Sequence, residues 1–257
     1  MSELFKFSKQ FLPQKWVETD DDVLLYRELP KKLMELLEKY FRLTVEGQEH
    51  LPKTGRVLFA ANHSGFSGFD AMILMHTIAK HTRMIPRVLT HRLWFASRLT
   101  GKPATKLGFV KASHDNALHY LKRNKQVIIF PEGEYGNFKP FSEAYTLQRF
   151  KTGFIRLAIE TETPIVPIIV IGAEETHINL RQLSLSKSLR GLILPLPLNL
   201  FPLPAKWRIV FLPPIRLAYP QSALKDKDFI EELAMEIRDS MQDRLTNELQ
   251  QRGSVFF

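Results

Sequence analysis

The stretch Val57-Leu58-Phe59-Ala60-Ala61-Asn62-His63-Ser64-Gly65-Phe66-Ser67-Gly68-Phe69-Asp70 decides how this chain is read. Its first five residues are apolar without interruption, the pattern of a short strand buried on both faces. A histidine and then a carboxylate follow the strand, with Gly65 and Gly68 between them. Sheets of buried strands place reactive groups at such exits, because the strand fixes them and the loop exposes them. An imidazole with an acid to orient it is the minimum needed to activate a hydroxyl.

Working outward, apolar runs alternate with helical patterns. Strands are expected at Leu43–Val45, Arg56–Ala61, Gly108–Lys111, Gln126–Phe130, Ile165–Ile171 and Trp207–Leu212. Helices are expected at Ala71–Ile78, His91–Thr100, Ser113–Lys122, Leu147–Glu160 and Asp228–Gln251. Leu33, Leu36, Leu37 and Phe41 recur at helical spacing after Pro30. The alternation predicts an α/β fold, a single domain with a mixed, largely parallel sheet flanked by helices. Residues 1–42 are expected to form an N-terminal helical, membrane-associating segment and residues 43–257 the main domain. Residues 1–17 carry Phe5, Phe7, Phe11, Leu12 and Trp16 among charges. They suit an amphipathic segment on a membrane surface or one packed back on the core. The opening Met1-Ser2-Glu3-Leu4-Phe5-Lys6 has an early acid and no long apolar region, so no cleavable signal is expected.

At 257 residues the chain buries a full core. It has no cysteine, which rules out disulfides and cysteine–metal sites and fits a reducing compartment. No run approaches the roughly 18–20 apolar residues of a spanning helix. The formal charge of +9 is unevenly spread. Between Ala71 and His114 there is no acid, but there are Lys80, Arg83, Arg87, Arg92, Arg98, Lys102, Lys106 and Lys111. Between Thr176 and Lys225 there is again none. Such stretches imply an anionic partner (a phosphorylated substrate, an anionic lipid or nucleic acid) or, more blandly, a solvated basic surface. Residues 191–204, Gly-Leu-Ile-Leu-Pro-Leu-Pro-Leu-Asn-Leu-Phe-Pro-Leu-Pro, are apolar yet carry four prolines, so neither a regular helix nor a central strand is expected. They suit a strap over the core, or a loop that dips into lipid or lines an acyl channel.

The chemistry gathers at strand exits. His63 and Asp70 form the first site, the acid fixing the tautomer and leaving the other ring nitrogen as a base. Phe130-Pro131-Glu132-Gly133 ends another apolar strand, with Gly133 allowing a tight turn and Glu132 displayed at the edge His63 occupies. Gly108-Phe109-Val110-Lys111 ends in a cation, and Pro164-Ile165-Val166-Pro167 opens a buried strand. There is no nucleophile-elbow serine and no metal-ligand spacing around His63. A base without a nucleophile points to direct attack by a substrate hydroxyl.

In order and spacing these blocks resemble the glycerophospholipid acyltransferase family, which contains the bacterial 1-acylglycerol-3-phosphate acyltransferases. The resemblance spans about residues 40–217 and rests on Asn62-His63, Lys111, Phe130-Pro131-Glu132-Gly133 and Ile165-Val166-Pro167. It implies O-acyl transfer from acyl-CoA or acyl carrier protein, with no cofactor, to a hydroxyl of a lysophosphatidate-like or related glycerolipid. His63 would be the base, Asp70 its orienter, Glu132 a contact to the acceptor hydroxyl, and Gly133, Lys111, Arg83 and Arg87 substrate-binding residues. It also implies a peripheral or monotopic place on the cytoplasmic face of a membrane with anionic lipids. The family keeps its acid five residues after the histidine; here that place is Gly68, and Asp70 keeps the pair only if the loop bulges. Lys111 stands where an arginine is usual, and Glu134-Tyr135 where Thr-Arg is common. The loss of these arginines motivates a second reading, a neutral acceptor such as diacylglycerol. A non-enzymatic module binding anionic lipid or nucleic acid is the third; for nucleic acid there is no finger spacing, RNP-like strand or recognition helix.

Overall fold

The computed structural model describes residues 28–65, 67–82, 84–95, 97–184 and 193–256. A seven-stranded sheet runs through it, in the spatial order β1 (Thr44–Glu46), β9 (Arg208–Phe211), β6 (Ile165–Ile171), β2 (Val57–Ala61), β5 (Gln126–Ile129), β3 (Arg87–Thr90) and β4 (Phe109–Lys111). The five strands from β6 to β4 are mutually parallel. β9 runs antiparallel to β6, and β1 runs with β9. The sheet is therefore mixed and largely parallel, as the alternation of apolar runs and helices predicts.

Side-chain alternation sorts the core into two layers. Val57, Phe59 and Ala61 face α1 (Glu28–Tyr40), α2 (Phe69–Thr82) and α3 (Arg98–Lys106). Leu58 and Ala60 face α4 (His114–Leu121), α6 (Gly153–Thr161) and α8 (Lys227–Gln250). Every residue of β2 and β6 is buried, which is why both read as unbroken apolar runs. Truncating a side chain here, such as Leu58 or Phe59, costs about 2–5 kcal/mol.

Several elements differ from expectation for local reasons. β3 is not legible as an apolar run because Arg87 opens it. The helix expected at His91–Thr100 divides into a single 3₁₀ turn, Arg92–Phe95, and α3. The Ser97 hydroxyl accepts from the Thr100 N–H and so starts a new helix instead of continuing an old one. The proline-rich segment contains β8 (Ile193–Pro197), paired antiparallel with β7 (Asn179–Ser184). Leu198 N–H points at β7, donating to the Ile178 carbonyl at 2.8 Å, and Leu196 N–H donates to the Asn179 side chain at 2.9 Å. Pro195 and Pro197, of opposite parity, turn their missing N–H toward the open edge, where no donor is required.

Met34 and Phe41 are buried in the layer that holds α2. Phe41 stacks on Trp207 with ring centroids 5.0 Å apart, so α1 belongs to the same body as the sheet. Residues 1–17, Arg83, Lys187, Arg190, Gly191 and Leu192 lie outside the described residues.

Candidate active site

The carboxyl ends of β2, β3, β4, β5 and β6 all lie at one edge of the sheet, and the loops leaving them build the site. Asn62 begins it. Its side chain donates to the Val170 carbonyl at 2.9 Å and accepts from the Val170 N–H at 2.7 Å, extending the pairing of β2 with β6 by a side chain. The main chain is thereby free to turn away. Gly65 and Gly68 both have positive φ, 71° and 75°, and the Gly68 N–H closes the turn on the Gly65 carbonyl at 3.2 Å.

That turn delivers Asp70 to the first turn of α2, where the helix N-terminus favours a carboxylate. Asp70 Oδ2 lies 2.5 Å from His63 Nδ1 and accepts the Ser64 N–H at 3.1 Å; Oδ1 accepts the Ala71 N–H at 2.7 Å. The carboxylate is fully buried and held from both oxygens. Phe130 stacks on the imidazole, centroids 4.1 Å apart and planes at 22°. The ring is clamped by an acid at its Nδ1 edge and a phenyl on its face, leaving Nε2 for other chemistry.

Glu132, at the exit of β5, is fully buried. Its Oε1 accepts the backbone N–H of His63 at 2.9 Å and its Oε2 that of Gln148 at 2.7 Å. Gly136 is required beneath it, since a Cβ there would stand 2.6 Å from the Glu132 Cβ. Lys139 approaches the same carboxylate at 3.8 Å and pairs with Glu174 at 2.9 Å. Glu174, which follows β6, also accepts the Tyr145 N–H at 2.9 Å. Burial pushes the Glu174 carboxyl up to about 7, against the pull of Lys139. Burial also works against the Lys139 ammonium, but Glu174 and Glu132 outweigh it and hold it above its ordinary range.

His63 opens on a cleft of about 500 Å³. Leu89, Phe109, Ile129, Phe130, Phe138 and Leu157 give it apolar walls, and Trp94 stands at its side. Arg92, Lys111 and Lys151 bring cations to it, with His91 and His114 nearby and, among the described residues, Glu134 as the one acid lining it. Burial, helped by Arg92 and Lys151, holds the His91 imidazole below its usual range despite Glu134 at 3.5 Å. Apolar walls with cations beside them suit an amphiphile with an anionic group.

Residues 42–171 match the family model described as Acyltransferase, about half of the chain. The chain belongs to the Acyltransferase family. An uncharacterized protein of Mycobacterium tuberculosis is 35% identical over 235 residues, covering 86% of this chain and 65% of that protein. The chain thus spans about two thirds of the length of the mycobacterial relatives it matches. A protein of Cocos nucifera named 1-acyl-sn-glycerol-3-phosphate acyltransferase is 28% identical over 152 residues, 56% of this chain and 44% of that one. A crystal structure of the 1-acyl-sn-glycerophosphate (LPA) acyltransferase PlsC from Thermotoga maritima covers 80% of this chain and 78% of its own, at 17% identity and a TM-score of 0.48.

Within this Acyltransferase domain the residues singled out from sequence separate into three groups. His63, Lys111 and Gly133 line the cleft, and Asp70 stands behind His63. Glu132 does not line it; both its oxygens are taken by backbone donors, so an acceptor-hydroxyl contact is replaced by a grip on the His63 main chain. Arg87 does not join the site at all. It is fully buried at the amino end of β3, the opposite sheet edge, donating to the Ile85 carbonyl at 3.0 Å and lying 5.7 Å from the Tyr120 ring centre. Arg83 lies outside the described residues.

Lys151 is the contact that sequence reading misses. It packs over Gly133, where a Cβ would come within 2.7 Å of its Nζ, and Gly133 itself has φ +63°. The Lys151 N–H bonds the Pro131 carbonyl at 2.9 Å, which ties the two loops together. The available signal was Lys151-Thr152-Gly153 at a helix start, hidden because the helix was expected to begin at Leu147. It begins only at Gly153.

Proposed function

We propose that this chain is an O-acyltransferase that moves a fatty acyl group from a thioester, acyl-CoA or acyl carrier protein, to a hydroxyl of a lysophosphatidate-like glycerolipid at the cytoplasmic face of a membrane. The observation that carries the reading is His63, paired with the buried Asp70 and opening on an apolar cleft with Lys111, Lys151 and Arg92 beside it.

In this reading Asp70 holds His63 in the tautomer protonated at Nδ1, and Nε2 takes the proton of the acceptor hydroxyl. The oxygen attacks the thioester carbonyl, the C–S bond breaks, and the imidazolium returns its proton to the departing thiolate. The products are an ester and a free thiol. The apolar walls take the acyl chain, and the cations take phosphate of the acceptor or of the thioester carrier. Glu132 acts through the backbone of His63 and is a positioning residue.

Mass spectrometry of products from purified protein, supplied with palmitoyl-CoA and a panel of lysophosphatidate, other lysophospholipids and diacylglycerol, tests this. Lysophosphatidate is expected to be acylated at least about tenfold faster than diacylglycerol. Preferential acylation of diacylglycerol establishes a neutral acceptor instead, and no ester with any acceptor overturns the proposal.

A further inference from the structure

The β7–β8 ribbon is built inside out for a hairpin in water. In its register Leu183 faces Leu194 and Arg181 faces Leu196, so Leu183, Leu194, Leu196 and Leu198 surround Arg181 on one face. That face is solvent-exposed. The ribbon is fastened to the protein elsewhere: Asn179 donates to the Phe138 and Lys139 carbonyls, and Gln182 to the Tyr135 carbonyl at 3.3 Å. Phe138 lines the cleft, so the ribbon stands against the cleft wall. The chain then runs out through Leu200 and Phe201, 75% and 87% exposed. At Pro202 it is held by the Tyr40 hydroxyl at 2.8 Å. Tyr40 closes a second exposed stripe on α1, with Leu33 and Leu36, flanked by Lys32 and Lys39 and by one exposed acid, Glu35.

Soluble surfaces scatter large apolar side chains singly, whereas this one connects them along two tethered elements. No acid interrupts the ribbon or its exit, because none occurs between Thr176 and Lys225. Among the described residues no helix is long and apolar enough to cross a membrane. We propose that the β7–β8 ribbon and the Leu198–Phe201 turn, beside the α1 stripe, form the surface by which this protein docks on a bilayer containing anionic lipid. Leucines and Phe201 enter the boundary between headgroups and acyl chains, and Arg181, Lys32 and Lys39 extend to the headgroup phosphates. The bilayer is favoured over a protein partner because the surface pairs exposed leucines with cations and presents no carboxylate on the ribbon. The inference rests on the proposed lipid acceptor for its purpose only. Docking is measured without catalysis, so the two readings fail separately.

The chain has no cysteine, so Leu198→Cys accepts a single environment-sensitive fluorophore. The labelled 257-residue protein is expected to show an exposed, red-shifted probe in buffer. On phosphatidylcholine vesicles containing phosphatidylglycerol the emission is expected to shift blue and to be quenched by spin-labelled lipid. Phe201→Asp combined with Leu196→Asp is expected to weaken vesicle binding by a hundredfold or so, from the apolar area withdrawn, with an unchanged thermal unfolding profile. A probe already shielded in buffer, which signals burial by residues 1–27 or by a second copy, overturns the proposal. So does a probe that stays solvent-exposed on vesicles, or wild-type binding by the double variant.

Discussion

Seven positions separate Asp70 from His63 along the chain, and 2.5 Å separate Asp70 Oδ2 from His63 Nδ1. The turn closed by the Gly68 N–H on the Gly65 carbonyl, with both glycines at positive φ, lies between them. Asp70→Asn keeps the shape but offers Nδ1 a partner that no longer enforces the tautomer. We expect kcat to fall by about 10²–10⁴-fold, with the acyl-donor KM little changed. Steady-state kinetics at saturating acceptor checks this; a loss of less than about threefold means that Asp70 does not orient the base.

Glu132 discriminates positioning from substrate contact. Because its oxygens hold the His63 and Gln148 amides, Glu132→Gln turns an amide group toward a backbone donor and shifts His63. The expected result is a kcat reduced by about 10–100-fold with an acceptor KM within about twofold of wild type. A raised KM with unchanged kcat identifies a direct acceptor contact.

Glu174 gives a pH dependence whose sign follows from its environment. Its carboxyl rises from 4.5 to about 7, so the folded state holds the proton more tightly than the unfolded chain does. The stabilisation from this group is complete below pH 4.5 and is lost as pH rises through about 7, by on the order of 3 kcal/mol. Glu174→Gln is expected to remove that part of the slope. Urea unfolding of both proteins between pH 5 and 8 measures it, and parallel stability curves refute it.

Gly133 and Lys151 meet over the cleft. Gly133→Ala places a side chain at φ +63° and a methyl against Lys151 Nζ. We expect a loss of roughly 1–3 kcal/mol in urea unfolding and a several-fold higher KM for a phosphate-bearing substrate. Lys151→Gln is expected to reproduce the KM change without the stability loss.

What the sequence made legible tracks what a single strand can say. Ile165–Ile171 and Val57–Ala61 announced themselves because burial on both faces leaves no polar position in the run. His63, Lys111 and Gly133 could be placed because each follows such a run directly. Arg87 misled because a cation in an acid-free stretch looks like surface, while the fold covers it with Tyr120 at the far sheet edge. Glu132 was placed on the correct strand exit, but the donors that occupy it come from residues 69 positions before and 16 after it. Lys139 and Glu174 carried no local pattern at all, since their pairing exists only once β5 and β6 are both in the sheet. The prolines of β8 concealed a strand because only the pairing register reveals that they face an open edge.

His63→Ala tests the central claim most directly. The measurement is ester formation from palmitoyl-CoA and lysophosphatidate by mass spectrometry, alongside the urea unfolding profile. The expected result is a stability within about 1–2 kcal/mol of wild type and a rate lowered by at least about 10³-fold, the order lost when a general base is removed. Ester formation by a folded His63→Ala protein at close to the wild-type rate contradicts the assignment of His63 as the base.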